Sequence, residues 1–226
     1  MLIILCYFLL RENDISNMKQ IIDFYSHKNQ AEIIQGFKFK RNGNIKDNVC
    51  TALLNEILGG SPSSRLFSDL REKRHLAYSV RSNYDVHGDM GVIYLKIGTT
   101  TENKETGEKT FDNLQKSIKG FQENIDKIKT EKVSEEELEA AKKQLKTAIL
   151  ESVEMNKNKN NRISKNINTP YSIEYTNKYY DCIDSISPDD ILNTAQNIFN
   201  SKTIYSLTAT KETLDANKEF LESLKD

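Results

Sequence analysis

The chain has 226 residues, of which 37% are hydrophobic and 29% charged, and its formal net charge is −1. This length fits one domain or two small ones and allows a substantial buried core. The near balance of acidic and basic residues gives no general attraction to nucleic acid or to an anionic membrane, and we expect neither as a partner. Three widely separated cysteines, Cys6, Cys50 and Cys182, do not fit a disulfide framework, which favours a reducing, cytoplasmic location.

The first predicted element is a buried strand at residues 1–10, an apolar run that is too short to span a bilayer as a helix. The run also lacks the positively charged start and the cleavage site of a signal peptide. A protein that begins directly on a core strand is unusual, which is compatible with a piece of a longer polypeptide. Asp14 is the predicted N-cap of a helix with apolar residues at helical spacing. Those residues are Ile15, Met18, Ile21, Ile22 and Tyr25.

A second strand and a helix are predicted next. The strand covers residues 32–40 and is followed by a turn at Asn42-Gly43. The apolar stripe at residues 47–58 predicts a helix that packs one of its faces into the core. Gly59-Gly60 stops this pattern and is the predicted C-cap of the helix.

A short helix and a hairpin follow the glycine pair. Ser63 or Ser64 is the predicted cap of the short helix. Residues 76–84 and 91–98 are both strand-like, and a polar turn at residues 87–89 separates them. Two strand-like runs on either side of such a turn predict an antiparallel pair.

The second half of the chain is mostly helical. Apolar residues at helical spacing predict helices at residues 111–128, at 134–150, at 171–186, from 187 onward and beyond 211. Ser134 and Glu137 have the spacing of a capping box, and Ser187 precedes Pro188 at the first position of the next helix. A last strand is predicted at residues 202–210.

The order of these elements favours an α+β fold, in which helices pack on one face of a mostly antiparallel sheet. No break in composition divides the chain, so we interpret residues 1–226 as a single domain. A small basic stretch at residues 157–165 has no interleaved aromatic residues and is interpreted as a solvated helix face.

Residues 54–84 are the most informative segment. A helix ends there at a glycine pair, Ser-Ser-Arg-Leu-Phe follows, and Leu-Arg-Glu-Lys leads on to Leu-Ala-Tyr-Ser-Val. This combination resembles the signature of the second homologous domain of M16 (insulinase/pitrilysin-like) zinc peptidases. Residues 134–150 resemble the long helix of that domain, and residues 175–199 resemble the helix pair before its last strand.

The resemblance implies an α+β domain of the C-terminal, inactive type. In the family, two related domains form half of a clam-shell, and two halves enclose a chamber for unfolded peptides. One domain carries the zinc ligands, and a domain of the opposite half contributes an Arg and a Tyr that reach toward the substrate. These two positions match Arg71 and Tyr78. The resemblance therefore implies that both residues bind substrate, that a partner domain or subunit holds the zinc, and that this chain is inactive alone.

The chemistry of the two residues agrees with this role. Arg71 is permanently charged and offers a rigid fork of donors to a peptide carbonyl or a developing oxyanion. Tyr78 can donate a hydrogen bond from its phenol while its ring packs against the sheet, and we expect it early in a strand. The alternative hypothesis is structural, with Arg71 in a surface ion pair and Tyr78 as a core aromatic residue.

We identify no catalytic and no metal-binding residue in the chain. Its histidines are His27, His75 and His87, and no two of them have the four-residue spacing of a zincin helix. A catalytic zinc site needs about three protein ligands and an activated water. His75 and His87 are interpreted as turn residues, and we expect zinc only in the partner.

Two functions remain open at this point. The chain is either the substrate-contacting part of an M16-type peptidase or a non-catalytic scaffold or assembly module with an M16-like fold. An isolated part of a clam-shell would expose apolar surface, so we also expect that two copies of the chain associate through that surface.

Overall fold

The computed structural model describes residues 20–25, 29–87, 89–103, 105–154 and 175–224. The strands in these ranges are β1 (Gln20–Tyr25), β2 (Gln30–Lys40), β3 (Ser79–His87), β4 (Met90–Thr100) and β5 (Thr203–Ala209). The helices are α1 (Ile45–Asn55), α2 (Asp112–Thr130), α3 (Glu135–Glu154), α4 (Tyr175–Asp184), α5 (Pro188–Phe199), α6 (Lys211–Ala216) and α7 (Lys218–Ser223). A π-helical turn at Glu56–Gly60 continues α1, and a second π-helical segment, Phe67–Lys73, is called the short helix below. Across the described ranges, no helix combines the length and the apolar content that a membrane crossing needs.

The strands form one sheet in the order β1-β5-β2-β4-β3. β1 runs parallel to β5, and every other neighbouring pair is antiparallel. The predicted hairpin is formed by β3 and β4, whose register runs from Ser79 opposite Gly98 to His87 opposite Met90. The predicted α+β fold with a mostly antiparallel sheet is confirmed.

One face of the sheet lies beneath the helices. The alternation of side chains along the strands turns Ile33 and Leu95 into the core, where they join Phe121 of α2. The opposite face carries the even-numbered residues of β2, β4 and β5 and the odd-numbered residues of β3, and we call it the open face. Glu32 and Lys96 form an ion pair there and are only partly buried.

Residues 20–25 form a strand, so the helix predicted to follow Asp14 is wrong at this point. Their apolar residues fit a strand as well as a helix, and a short run does not separate the two. Pairing with β5 along the full length of β1 decides the outcome, because the backbone hydrogen bonds of the sheet outweigh a weak helical pattern. The strand predicted at residues 1–10 and the basic stretch at residues 157–165 lie outside the described residues.

Gly59-Gly60 ends the helical segment, but not as the predicted C-cap. In the described residues, the glycines with positive φ are Gly43 and Gly107. A Cβ atom on Gly59 would lie only 2.4 Å from the backbone nitrogen of Ser82 in β3. Gly59 therefore lets the end of the helix approach the backbone of the sheet closely, and left-handed conformational freedom plays no part.

The predicted caps of two later helices are present. Ser187 and Asp190 form a complete capping box at the start of α5. Before α3, the Oγ of Ser134 accepts a hydrogen bond of 3.1 Å from the backbone N–H of Glu137, which is the first half of the predicted box. The carboxylate of Glu137 binds Arg65.

Candidate functional site

The short helix packs firmly against α2. Leu70 is fully buried, and a Cβ atom on Gly120 of α2 would lie 2.3 Å from the Cδ2 of Leu70. The glycine therefore makes the space that Leu70 fills. Ser64 stands at the predicted N-cap position, because its carbonyl accepts a hydrogen bond of 3.0 Å from the backbone N–H of Ser68, but its buried Oγ has no hydrogen-bond partner within the described residues. Packing against α2 holds the helix in place of a side-chain cap.

A polar cluster at Asp69 ties the short helix to its surroundings. The carboxylate of Asp69 accepts hydrogen bonds from Nε and Nη2 of Arg74 at 3.0 and 2.8 Å. It also accepts one of 2.7 Å from Nδ2 of Asn124, a buried residue of α2. Arg74 pairs with Glu123 as well, and these carboxylates, Glu123 first, raise the pKa of the guanidinium. The cluster links the short helix, the following turn and α2.

The turn between the short helix and β3 is fixed by backbone hydrogen bonds. Leu76 donates to the carbonyl of Leu70 at 2.9 Å, and Tyr78 donates to the carbonyl of Gly98 at 3.3 Å. His75 has a φ of 54°, a left-handed conformation that is uncommon for a residue other than glycine. His75 is exposed in this turn, as predicted. These backbone contacts therefore fix the positions of Arg71 and Tyr78, which flank the turn, relative to each other.

Arg71 lies on the exposed side of the short helix. Its Cζ atom sits 4.7 Å from the centre of the Phe67 ring, one helical turn earlier, which is cation–π geometry. No acidic side chain of the described residues lies within ion-pair distance of Arg71. The alternative hypothesis, in which Arg71 forms a surface ion pair, therefore finds no support among the described residues.

Tyr78 is 55% exposed, so the alternative hypothesis of a core aromatic residue is wrong. It lies one residue before β3 rather than within it. A Cβ atom on Gly98 would lie 2.7 Å from Cε1, Cζ and the hydroxyl oxygen of Tyr78. The ring therefore rests on the open face of the sheet over Gly98, as the predicted packing against the sheet requires, and most of its surface is accessible.

Several other residues of the signature segment have structural roles. Arg65 binds the carboxylate of Glu137 through two hydrogen bonds of 2.7 Å each and so links the short helix to α3. Leu70 and Gly59 serve packing, and Arg74 belongs to the cluster at Asp69. Arg71 and Tyr78, by contrast with these four residues, present their polar ends to solvent.

Among the side chains that the structure describes, no group of three or more His, Cys, Asp or Glu residues is placed to hold a metal ion. His27 and the side chain of His87 lie outside this description. The absence of a metal site from the whole chain stays a prediction.

A polar cleft that the sequence did not reveal lies between the end of β2, the start of α1 and α5. It encloses about 270 Å³ and is lined by residues that include Arg41, Lys46, Cys50 and Asp190. Lys46 and Asp190 pair across it at 2.7 Å. Burial raises the pKa of the Cys50 thiol to about 11, so the thiol stays protonated at neutral pH and is a poor nucleophile.

Comparison with known proteins identifies relatives of this chain. Residues 13–145 match the family described as the peptidase M16 inactive domain. An uncharacterized zinc protease of Rickettsia felis is 36% identical over 174 residues, which are 77% of this chain and 40% of that protein. The uncharacterized zinc protease YmxG of Bacillus subtilis is 35% identical over 139 residues, which are 61% of this chain and 31% of that protein. The chain thus spans less than half the length of these relatives.

Solved structures have the same fold. A peptidase M16 inactive domain from Pseudomonas fluorescens matches with a TM-score of 0.74 at 17% identity, over 88% of this chain and 46% of that one. A protease from Helicobacter pylori matches with a TM-score of 0.70 at 18% identity, over 88% of this chain and 48% of that one. The fold, the family match over more than half of the sequence and the Rickettsia relative agree: the chain belongs to the M16 peptidase family and matches its inactive domain.

Proposed function

We propose that this chain is the non-zinc-binding half-domain of an M16-type metallopeptidase. In this proposal it lines the peptide chamber and contacts substrate through Arg71 and Tyr78, while a partner domain or subunit supplies zinc. The observation that carries the proposal is the accessibility of both side chains on either side of one fixed turn. Arg71 is exposed and has no ion-pair partner among the described residues, and Tyr78 is 55% exposed.

Arg71 is suited to bind a peptide backbone. Its guanidinium is charged at any physiological pH and offers several donors in one plane. The contact with Phe67 involves the face of its ring, which has no oxygen or nitrogen acceptor. The N–H donors of Arg71 therefore stay available for substrate. In the assembled enzyme, the donors would bind a substrate carbonyl or the oxyanion that develops as the peptide bond is attacked.

Tyr78 would act as a second donor. Its ring is supported from below by Gly98, so the orientation of the hydroxyl is limited while the group stays accessible. A phenol in this position can donate to the same substrate segment that Arg71 binds. Donors that are already in place before substrate binds need little rearrangement during the reaction. They can therefore stabilise the charge that develops in the transition state.

The partner would complete the active site. The curated relatives are called zinc proteases and are more than twice as long as the region they share with this chain. We therefore place the zinc ligands, the catalytic base and the edge strand that receives the peptide in another domain or chain. The open face of the sheet would form the wall of the chamber opposite them.

A kinetic experiment tests this division of roles. The chain would be assembled with an M16 domain that carries His-x-x-Glu-His, encoded upstream of Met1 or by a neighbouring gene, and hydrolysis of an unfolded peptide would be followed. We expect Arg71→Ala to lower kcat/KM by roughly 10- to 1,000-fold, with a smaller loss for Tyr78→Phe. Lys116→Ala, which removes an exposed charge from α2, is the control and should leave the rate unchanged.

Two outcomes would contradict the proposal. Zinc-dependent hydrolysis by the purified chain alone would show that the metal site is not supplied by a partner. Unchanged kinetics of the assembled enzyme in both Arg71→Ala and Tyr78→Phe would contradict the proposed substrate contacts. This result would favour the hypothesis of a non-catalytic scaffold.

A further inference from the structure

The register of the sheet defines what surrounds Tyr78 on the open face. The row beneath its ring consists of Glu32, Gly98 and Ser79, from β2, β4 and β3. The next row consists of Ile34, Lys96 and Arg81 on the same strands, of which Ile34 is buried, Lys96 is partly buried and Arg81 is exposed. Adjacent rows on one face are separated by two residues, or about 7 Å.

Two positive charges therefore lie side by side next to Tyr78. Arg81 and Lys96 are directly opposed on neighbouring strands, an arrangement that is destabilising for like charges. Lys96 is neutralised by Glu32, with 2.8 Å between its Nζ and the Oε2 of Glu32. Arg81 is exposed, and no carboxylate in the described part of the chain lies within ion-pair distance of it. The positive charge of Arg81 is therefore available to bind an anionic group of another molecule.

We propose that Arg81 selects peptide segments that carry an acidic side chain. This inference rests on the proposed function and adds a preference to it. A peptide that lies across the open face beside Tyr78 would place one side chain over the row of Lys96 and Arg81. An Asp or Glu carboxylate there forms a two-point hydrogen-bonded ion pair with the guanidinium. A Lys or Arg at that place in the peptide adds a third positive charge and is disfavoured.

The geometry also limits the strength of this preference. Arg81 is in contact with solvent, so the ion pair is weak and sensitive to salt. The backbone contacts of Arg71 and Tyr78 would provide general affinity for peptides, and Arg81 would discriminate among sequences.

Peptide binding to the intact chain tests the proposal. The chain contains no tryptophan, so the fluorescence of a peptide with one Trp reports binding without a background signal from the protein. Three unstructured peptides with blocked ends would differ only in a central Glu, Gln or Lys. We expect the Glu peptide to bind roughly two- to five-fold more tightly than the Gln peptide at low salt, and the Lys peptide to bind weakest. High salt should abolish these differences.

Two variants on the same face should change the preference in opposite directions. Arg81→Gln should make the Glu and Gln peptides bind equally. Glu32→Gln frees Lys96 and should increase the preference for Glu, although the variant also removes a cross-strand ion pair. Loss of folding cannot produce this opposite response. Lys116→Gln on α2 removes an equal charge elsewhere and should leave the preference unchanged.

Each failure has a distinct meaning. If the peptides bind without a preference for Glu, or if the preference survives in Arg81→Gln, the inference is overturned and the proposed function stands. A fourth peptide, with the central Gln and a free carboxyl terminus, separates side-chain from terminal carboxylates. If this peptide alone binds more tightly, Arg81 binds the carboxyl terminus of peptides, and the preference for acidic side chains is wrong. If none of the peptides binds, the inference is overturned, while the kinetics of Arg71→Ala and Tyr78→Phe in the assembled enzyme still decide the proposed function.

Discussion

Arg65 and Glu137 are joined by two hydrogen bonds of 2.7 Å, from Nε and Nη2 to the two carboxylate oxygens. The side chains are 20% and 31% exposed, so the pair is shielded better than most ion pairs among the described residues. A two-point pair of this kind is stronger than a single contact and fixes orientation. It connects the segment that carries Arg71 to the long helix α3.

Removing this pair should destabilise the fold. We expect Arg65→Ala to lower the free energy of unfolding by about 1–3 kcal/mol, because the partly buried carboxylate loses its partner. Urea unfolding of the single variants and of Arg65→Ala/Glu137→Ala would give the coupling between the residues. The pair of Lys132 and Asp189, 57% and 62% exposed, is the control and should show a coupling near zero. A coupling at Arg65 as small as in this control would contradict the structural role.

Gly59 should tolerate no side chain. In Gly59→Ala the new Cβ would lie 2.4 Å from a backbone nitrogen of β3, and backbone atoms cannot move aside as a flexible side chain can. We expect a loss of about 1–3 kcal/mol in the free energy of unfolding. Gly36→Ala is the matched control, because the nearest atom would be 3.9 Å away. If the two variants are equally stable, the helix end does not approach the sheet as described.

Gly98→Ala should separate stability from activity. The added methyl group would meet the ring of Tyr78, which is the far end of an exposed side chain and can swing away. The midpoint of urea unfolding should therefore change little, while kcat/KM of the assembled enzyme should fall as far as in Tyr78→Phe. Full activity in this variant would show that the position of the ring over Gly98 is not needed.

Asp190 should make stability depend on pH. Burial opposes its charge, but the interactions with Lys46 and Ser187 outweigh burial and hold the pKa of Asp190 below its ordinary value. A carboxyl with a lowered folded pKa stabilises the protein above its unfolded value, and this contribution is lost as the pH falls through the folded pKa. Stability from Asp190 should thus be complete at neutral pH, begin to fall near the unfolded pKa of about 3.9, and be lost as the pH falls through the lower folded pKa.

The variant Asp190→Asn tests this assignment. At neutral pH it should cost about 1–2 kcal/mol, because it weakens the capping box of α5 and the pair with Lys46. In strong acid the difference from the wild-type chain should shrink. Asp189→Asn, at the adjacent exposed position, should cost far less at neutral pH. An Asp190→Asn deficit that is the same at both pH values would contradict the pKa assignment.

The sequence predicted those parts of the fold that depend on local patterns. Strand-like runs predicted β2 and β4, and Ser187 before Pro188 marked the start of α5. It failed for β1, because pairing with β5, which lies far along the chain, decides the state of a six-residue segment. It also misassigned Gly59, since its role depends on the backbone of Ser82 in another element.

For the site, the motif identified Arg71 and Tyr78 but not their environment. The exposure of Tyr78 over Gly98 and the fixed turn at His75 follow from tertiary contacts that no local pattern encodes. The opposition of Arg81 and Lys96 follows from strand register. The single domain over residues 1–226, the cytoplasmic location and the association of two copies stay predictions.

Crosslinking of substrate at position 78 tests the central claim most directly. A photoreactive phenylalanine analogue would replace Tyr78 in the assembled enzyme, and an unfolded peptide would be irradiated with it. Leu150 of α3 is the control position, because it is exposed to the same extent, 55%, and lies on a helix. We predict that the peptide crosslinks at position 78 and not at position 150, and that excess unlabelled peptide abolishes the product. Equal crosslinking at both positions, or none at position 78, would contradict the assignment of Arg71 and Tyr78 as substrate contacts.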